Sequence, residues 1–169
     1  HMPVSFTTDG PNTANSGACR AFRCLHRFVR LSPLFRRRYW LIPLNDVAGA
    51  HWTYIKADMA LGVISYHDSL YEGPPPAILR SARDFLEAEW KHPQWEPSRA
   101  ELLRKHPKLA HIAQWTLDRP PTPRQTNTRD CGVYTLLGMH AFSTTHSDTA
   151  LTHMSTDCAT ERDWLSWVA

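Results

Sequence analysis

The chain has 169 residues, 42% of them hydrophobic and seven of them tryptophan, which fits one domain with a sizeable core. A net charge of +3 with neutral histidines creates no demand for a nucleic-acid partner, and no apolar run reaches membrane length. Cysteines at 19, 24, 131 and 158 form no C-x-x-C pair, which argues against a zinc site and against a secreted disulfide framework.

Residues 1–15 are polar and turn-rich and read as a tail that opens on a cloning remnant, His1-Met2. Ser16 can cap a helix with Ala18, Phe22, Leu25, Phe28 and Val29 on its apolar face, ending near Ser32-Pro33. The basic cluster Arg36-Arg37-Arg38 reads as a solvated face. Three strands are expected around residues 39–44, 51–56 and 61–67, where aromatic and branched residues are dense and Asn45 to Ala50 and Ala57 to Ala60 supply turns. Such a meander places the start of its second strand and the end of its third at one edge, so His51 and Asp68 become neighbours although seventeen positions separate them.

Gly73-Pro74-Pro75-Pro76 then breaks the chain before a helix from about Ala77 to Trp90, with Ile78, Ala82, Phe85, Leu86 and Trp90 on one side. Residues 91–111 are charged and interrupted by prolines and read as an insertion with a short helix at Ser98 to Lys105. His111 to Asp118 is expected to form a fourth strand, and a loop with Pro120, Pro121 and Pro123 leads to Gln125. A helix opens at Cys131 and runs to Phe142 with Val133, Leu136 and Leu137 at roughly helical spacing; a polar connection precedes a terminal helix with Trp164, Leu165, Trp167 and Val168.

The chemistry concentrates in Pro123 to Tyr134, where Gln125 lies six residues before Cys131. A thiol in the first turn of a helix meets free N–H groups and the positive end of the macrodipole, both of which favour a thiolate. Free cysteines are also common core residues, so from this segment alone a nucleophile and a packed side chain are both open readings. In the same way Asp68 reads as a turn former as well as a catalytic carboxylate, and Trp52 as plain strand core.

The ordered motifs resemble the Ulp/SENP group of ubiquitin-like-protein (SUMO) cysteine peptidases, relatives of the adenovirus proteinase. The matching pieces are the W-x-x-P-x-N-like strand Trp40 to Asn45, His51-Trp52 followed by Asp68-Ser69-Leu70, and Gln125 with Asp130-Cys131-Gly132, together covering about residues 38–142. The resemblance implies that Cys131 attacks the scissile carbonyl, His51 carries its proton to the leaving amine, Asp68 orients the imidazole, and Gln125 completes the oxyanion hole. It also implies that Trp52 lines a narrow tunnel for the Gly-Gly tail of the substrate. Larger members carry a W-L-x-D segment ahead of the first helix, whose tryptophan forms the other tunnel wall. Asp163 to Trp167 loosely echoes that segment, and Trp164 is the expected substitute.

The fold implied is α+β and papain-like, with a small, mostly antiparallel sheet flanked by helices and the nucleophile at the N-terminus of a central helix. The implied activity is cleavage after the C-terminal glycine of a ubiquitin-like modifier, with SUMO the first expectation and ubiquitin or NEDD8 next. A monomer is expected, without cofactor, metal, nucleic acid or membrane, in a reducing compartment of the nucleus or cytoplasm or after delivery into a host cell. Two other readings are an effector-type acyltransferase using the same triad and a ubiquitin-like binding module without strong turnover.

Overall fold

Strands form where branched and aromatic residues alternate across the chain, and they pair in the order in which the chain makes them. The computed structural model describes residues 4–5, 33–46, 49–72 and 76–145. Its sheet runs β1 (Val4–Ser5), β2 (Tyr39–Asp46), β3 (His51–Asp58), β4 (Val63–His67) and β5 (Thr116–Asp118), in that spatial order. The β2–β3 and β3–β4 ladders are antiparallel, as the meander predicts, whereas the edge strands β1 and β5 pair parallel to their neighbours. The β3–β4 turn contains Gly62 at φ +69°, a left-handed conformation that glycine adopts without a Cβ penalty.

Alternation along the strands serves two faces. Ile42, Leu44, Ile55, Ala57 and Ile64 enter the main core with Leu79, Ala82, Phe85, Leu86 and Trp90 of α1 (Ile78–Trp90). The charged stretch after α1 belongs to this core as well. It holds α2 (Arg99–Lys105) between two 3-10 segments, Pro93–Ser98 and Pro107–Gln114, and buries Trp95, Leu102, Leu109 and Ile112. Phe35 joins them with its ring edge-on to Trp90 at 5.0 Å and to Trp95 at 4.9 Å. The second 3-10 segment takes most of the strand expected from His111, so β5 starts only at Thr116. Backbone hydrogen bonds from Leu109 to His106 and from Trp115 to Ile112 close tight turns there instead of a ladder.

The other face of the sheet receives α3 (Cys131–Thr145). Here Phe142 packs on Tyr54, and Gly138 faces the same tyrosine so closely that a Cβ on it would lie 2.4 Å from the phenol oxygen. The buried side of α3 is therefore Cys131, Tyr134, Thr135, Leu137, Gly138 and Phe142, while Leu136, expected on the apolar face, is 53% exposed. The helix segment is apolar nearly all round, so its sequence leaves the buried side undecided. The expected helices at Ser16 and at Trp164 lie outside the described residues, as do Cys19, Cys24 and Cys158.

Candidate active site

His51 opens β3, where its partner across the ladder is Asp46, and Asp68 directly follows β4. The register Tyr54 with His67 brings both ends to one sheet edge, and His51 Nε2 lies 2.9 Å from Asp68 Oδ1. That contact places the ring N–H on Nε2 and leaves Nδ1 as the nitrogen open to another partner, and the nearby Cys131 is among the groups that raise His51. The residue before His51, Ala50, sits at φ +49°, which costs an L residue about 1–2 kcal/mol and marks local strain beside the imidazole.

The pair is screened from solvent, and its ionisation follows from its partners. The Asp68 hydrogen bond, helped by Cys131 and opposed by burial, holds His51 above its ordinary value. Burial pushes Asp68 upward, yet the bonds from His51 and from the Leu70 and Tyr71 backbone N–H groups outweigh it and hold the carboxyl below the usual range. Those two N–H groups reach Oδ1 at 2.9 and 3.1 Å. The exposed ring of Tyr71 stands edge-on to the His51 ring at 5.3 Å and forms a rim beside it.

Cys131 is the first residue of α3 and is 4% exposed. Asn127 folds the approach: its side-chain carbonyl accepts the N–H of Arg129 at 2.8 Å and of Asp130 at 3.1 Å, and its amide donates to Asp130 Oδ2 at 2.6 Å. The Asp130 carbonyl then accepts the Tyr134 N–H at 3.0 Å as the helix begins. Trp52, half-buried on β3, packs over Gly132, with its Cδ1 at 3.6 Å from where a Cβ would stand.

Gln125 is buried and tied to the Asp68 turn by two bonds. Its backbone N–H donates to the Ser69 carbonyl at 3.0 Å, and its Oε1 accepts the Ser69 hydroxyl. The Asn127 carbonyl, which can only accept, fixes which end of the amide carries the donors: one N–H of Nε2 goes to it, and the group has another to offer. Ser69 and Asn127 are thus supporting residues; Ser69 stands inside the Asp68-Ser69-Leu70 motif, whereas nothing in the sequence singles out Asn127 from the loop before Cys131. His67, next to Asp68, is a core residue: it stacks on Tyr54 at 4.5 Å and hydrogen-bonds Ser65 at 2.9 Å.

The structure therefore brings His51, Asp68, Cys131, Gln125 and Trp52 to one end of the sheet, whereas Trp164 lies outside the described residues. Among the described residues no group of three or more His, Cys, Asp or Glu side chains is arranged to hold a metal ion, and no helix is long and apolar enough to cross a membrane.

Residues 9–163 match the model of the Ulp1 protease family, C-terminal catalytic domain. A sentrin-specific protease from Caenorhabditis elegans is 30% identical over 116 residues, covering 68% of this chain and 14% of that protein. The structure of the SUMO protease Ulp1 with its catalytic cysteine oxidised to a sulfonic acid superposes with a TM-score of 0.64 at 20% identity, over 95% of this chain and 66% of that one. The C-terminal Ulp1 protease domain in complex with Smt3, the yeast ortholog of SUMO, gives a TM-score of 0.56 at 19% identity, over 86% of this chain and 58% of that one. At these identities the solved structures show a shared α+β fold. The chain spans a small part of the worm protein and less than two thirds of either solved domain.

Proposed function

The chain belongs to the Ulp1 protease family, and from that premise we propose that it is a monomeric cysteine peptidase that cleaves after the C-terminal glycine of a ubiquitin-like modifier, SUMO ahead of ubiquitin or NEDD8. The observation that carries the reading is the convergence of the Cys131 thiol, at the N-terminus of α3, with the buried His51–Asp68 pair. The sulfur attacks the scissile carbonyl while imidazolium stands ready at Nδ1 of His51. The tetrahedral oxyanion is met by the backbone N–H of Cys131 and by Nε2 of Gln125, held in orientation by Ser69. His51 gives its proton to the leaving lysine amine, leaving an acyl group on Cys131. The imidazole then takes a proton from water, which attacks the thioester and releases the modifier.

Trp52 forms one wall of the passage for the glycine tail, since it covers Gly132 beside the nucleophile. Bulky side chains cannot pass such a gap, which explains selectivity for a tail of two glycines. The loose echo of the family's W-L-x-D segment at Asp163 to Trp167 makes Trp164 the sequence candidate for the opposite wall, and its replacement by alanine is expected to raise KM for a modifier substrate.

The test is a panel of lysine isopeptides and C-terminally extended precursors made with SUMO, ubiquitin and NEDD8. Cleavage after the final glycine is expected for the SUMO substrates first, and none with Cys131→Ala. Turnover by that variant, or inertness of the parent enzyme toward the whole panel, defeats the reading.

A further inference from the structure

Asp68 turns only one of its oxygens toward His51. Oδ1 collects His51 Nε2 and two backbone N–H groups, while Oδ2 faces Arg119, whose Nη2 lies 3.2 Å away. Arg119 reaches this place because β5 runs parallel to β4, so both strands deliver their next residues at the same end of the sheet. Its guanidinium lies over the Tyr66 ring, with Cζ 5.2 Å from the centroid, and Nη2 also donates to the Tyr71 carbonyl. The side chains of Arg119 and Asp68 are 14% and 3% exposed, so this pair is not a solvent-screened surface bridge.

We propose that Arg119 is a positioning residue for catalysis, fixing the rotation of the Asp68 carboxylate and the turn at Tyr71 so that Oδ1 presents its lone pairs to His51. This inference rests on the triad reading above. Three contacts converge on the role: the charge-assisted bond to Oδ2, the bond to the carbonyl of the residue whose N–H feeds Oδ1, and the aromatic platform that keeps the planar fork from rotating. Without Arg119 the carboxylate loses the only side-chain partner that the described residues give to Oδ2, and its rotation is then held by the bonds at Oδ1 alone.

The experiment is a double-mutant cycle on a fluorogenic amide of the SUMO C-terminal glycine. Arg119→Met keeps the apolar stem and is expected to lower kcat roughly ten-fold with KM changed less than about two-fold, since the lost contact acts on orientation rather than on substrate binding. Arg119→Lys, which keeps the charge, regains part of that loss. In the Asp68→Asn background, Arg119→Met adds less than about two-fold, because the carboxylate it positions is gone. Arg119→Gln replaces Arg119→Met if the latter melts below the assay temperature. The inference is overturned if the ten-fold loss persists undiminished in the Asp68→Asn background, if KM carries the loss, or if Arg119→Lys is no better than Arg119→Met. Full activity of Asp68→Asn alone overturns the triad reading instead, so the two failures are told apart.

Discussion

The two faces of the sheet are built from different materials. Against α1, α2 and the 3-10 segments lies a broad apolar core of leucines, isoleucines, Phe35 and three tryptophans, Trp90, Trp95 and Trp115. Against α3 lies a narrow seam in which Tyr54 and Phe142 meet Lys56, Ser65 and His67, with the Lys56 ammonium 4.1 Å from the centre of the Phe142 ring. A side chain lost from the first face leaves a cavity among many remaining apolar neighbours and costs stability. The second has few such neighbours. It sets how close α3 comes to β3, and therefore where Cys131 stands relative to His51.

This difference can be broken or sharpened by mutation. Asp68→Asn has the largest expected effect, roughly 10²- to 10⁴-fold on kcat, because the imidazole loses the partner that fixes its tautomer. Its pH signature has a definite sign. The Asp68 bond is the leading cause that raises His51 above 6.5, while burial lowers it. Removing the bond therefore makes the imidazolium of the free enzyme give up its proton at lower pH, and the alkaline limb of the kcat/KM profile moves to lower pH.

Gly138→Ala comes next. The added methyl meets the Tyr54 oxygen at 2.4 Å, so α3 must retreat from β3 or the ring must move. A loss of about 1–3 kcal/mol in urea unfolding is expected, together with a fall in kcat that reaches roughly 10²-fold for a displacement near 1 Å. Leu86→Ala, on the opposite face, should cost about 2–5 kcal/mol of stability yet leave kcat within about two-fold at temperatures where the variant is folded. If Leu86→Ala damages kcat as much as Gly138→Ala, the division of labour between the faces is wrong.

Much of the site could be read from the residues because its key parts lie on a local device. The β2–β3–β4 meander follows from alternation and turn residues, and its antiparallel pairing alone makes His51 and Asp68 neighbours. The Gln125 and Cys131 spacing was equally visible. Arg119 was not, since its role depends on the parallel pairing of β5 with β4, a non-local choice that a three-residue strand does not announce. Leu136 misled for another reason: in a helix apolar on every side, hydrophobic periodicity cannot tell the buried side from the exposed one. The charged segment after α1 hid its contribution to the core because Trp95, Leu102, Leu109 and Ile112 are spread over three short helical pieces broken by prolines, leaving no window long enough to show a period.

The central claim is that the seam between α3 and β3 makes Cys131 the nucleophile for a modifier's C-terminal glycine. Its most direct test is to treat the protein with SUMO carrying an electrophile in place of that glycine's carboxylate, and to locate the adduct by intact mass and peptide mapping. One adduct is predicted, on Cys131, with Cys19, Cys24 and Cys158 untouched and no product with Cys131→Ala. An adduct on another cysteine, or an unmodified protein after exposure to the SUMO, ubiquitin and NEDD8 probes in turn, contradicts the account.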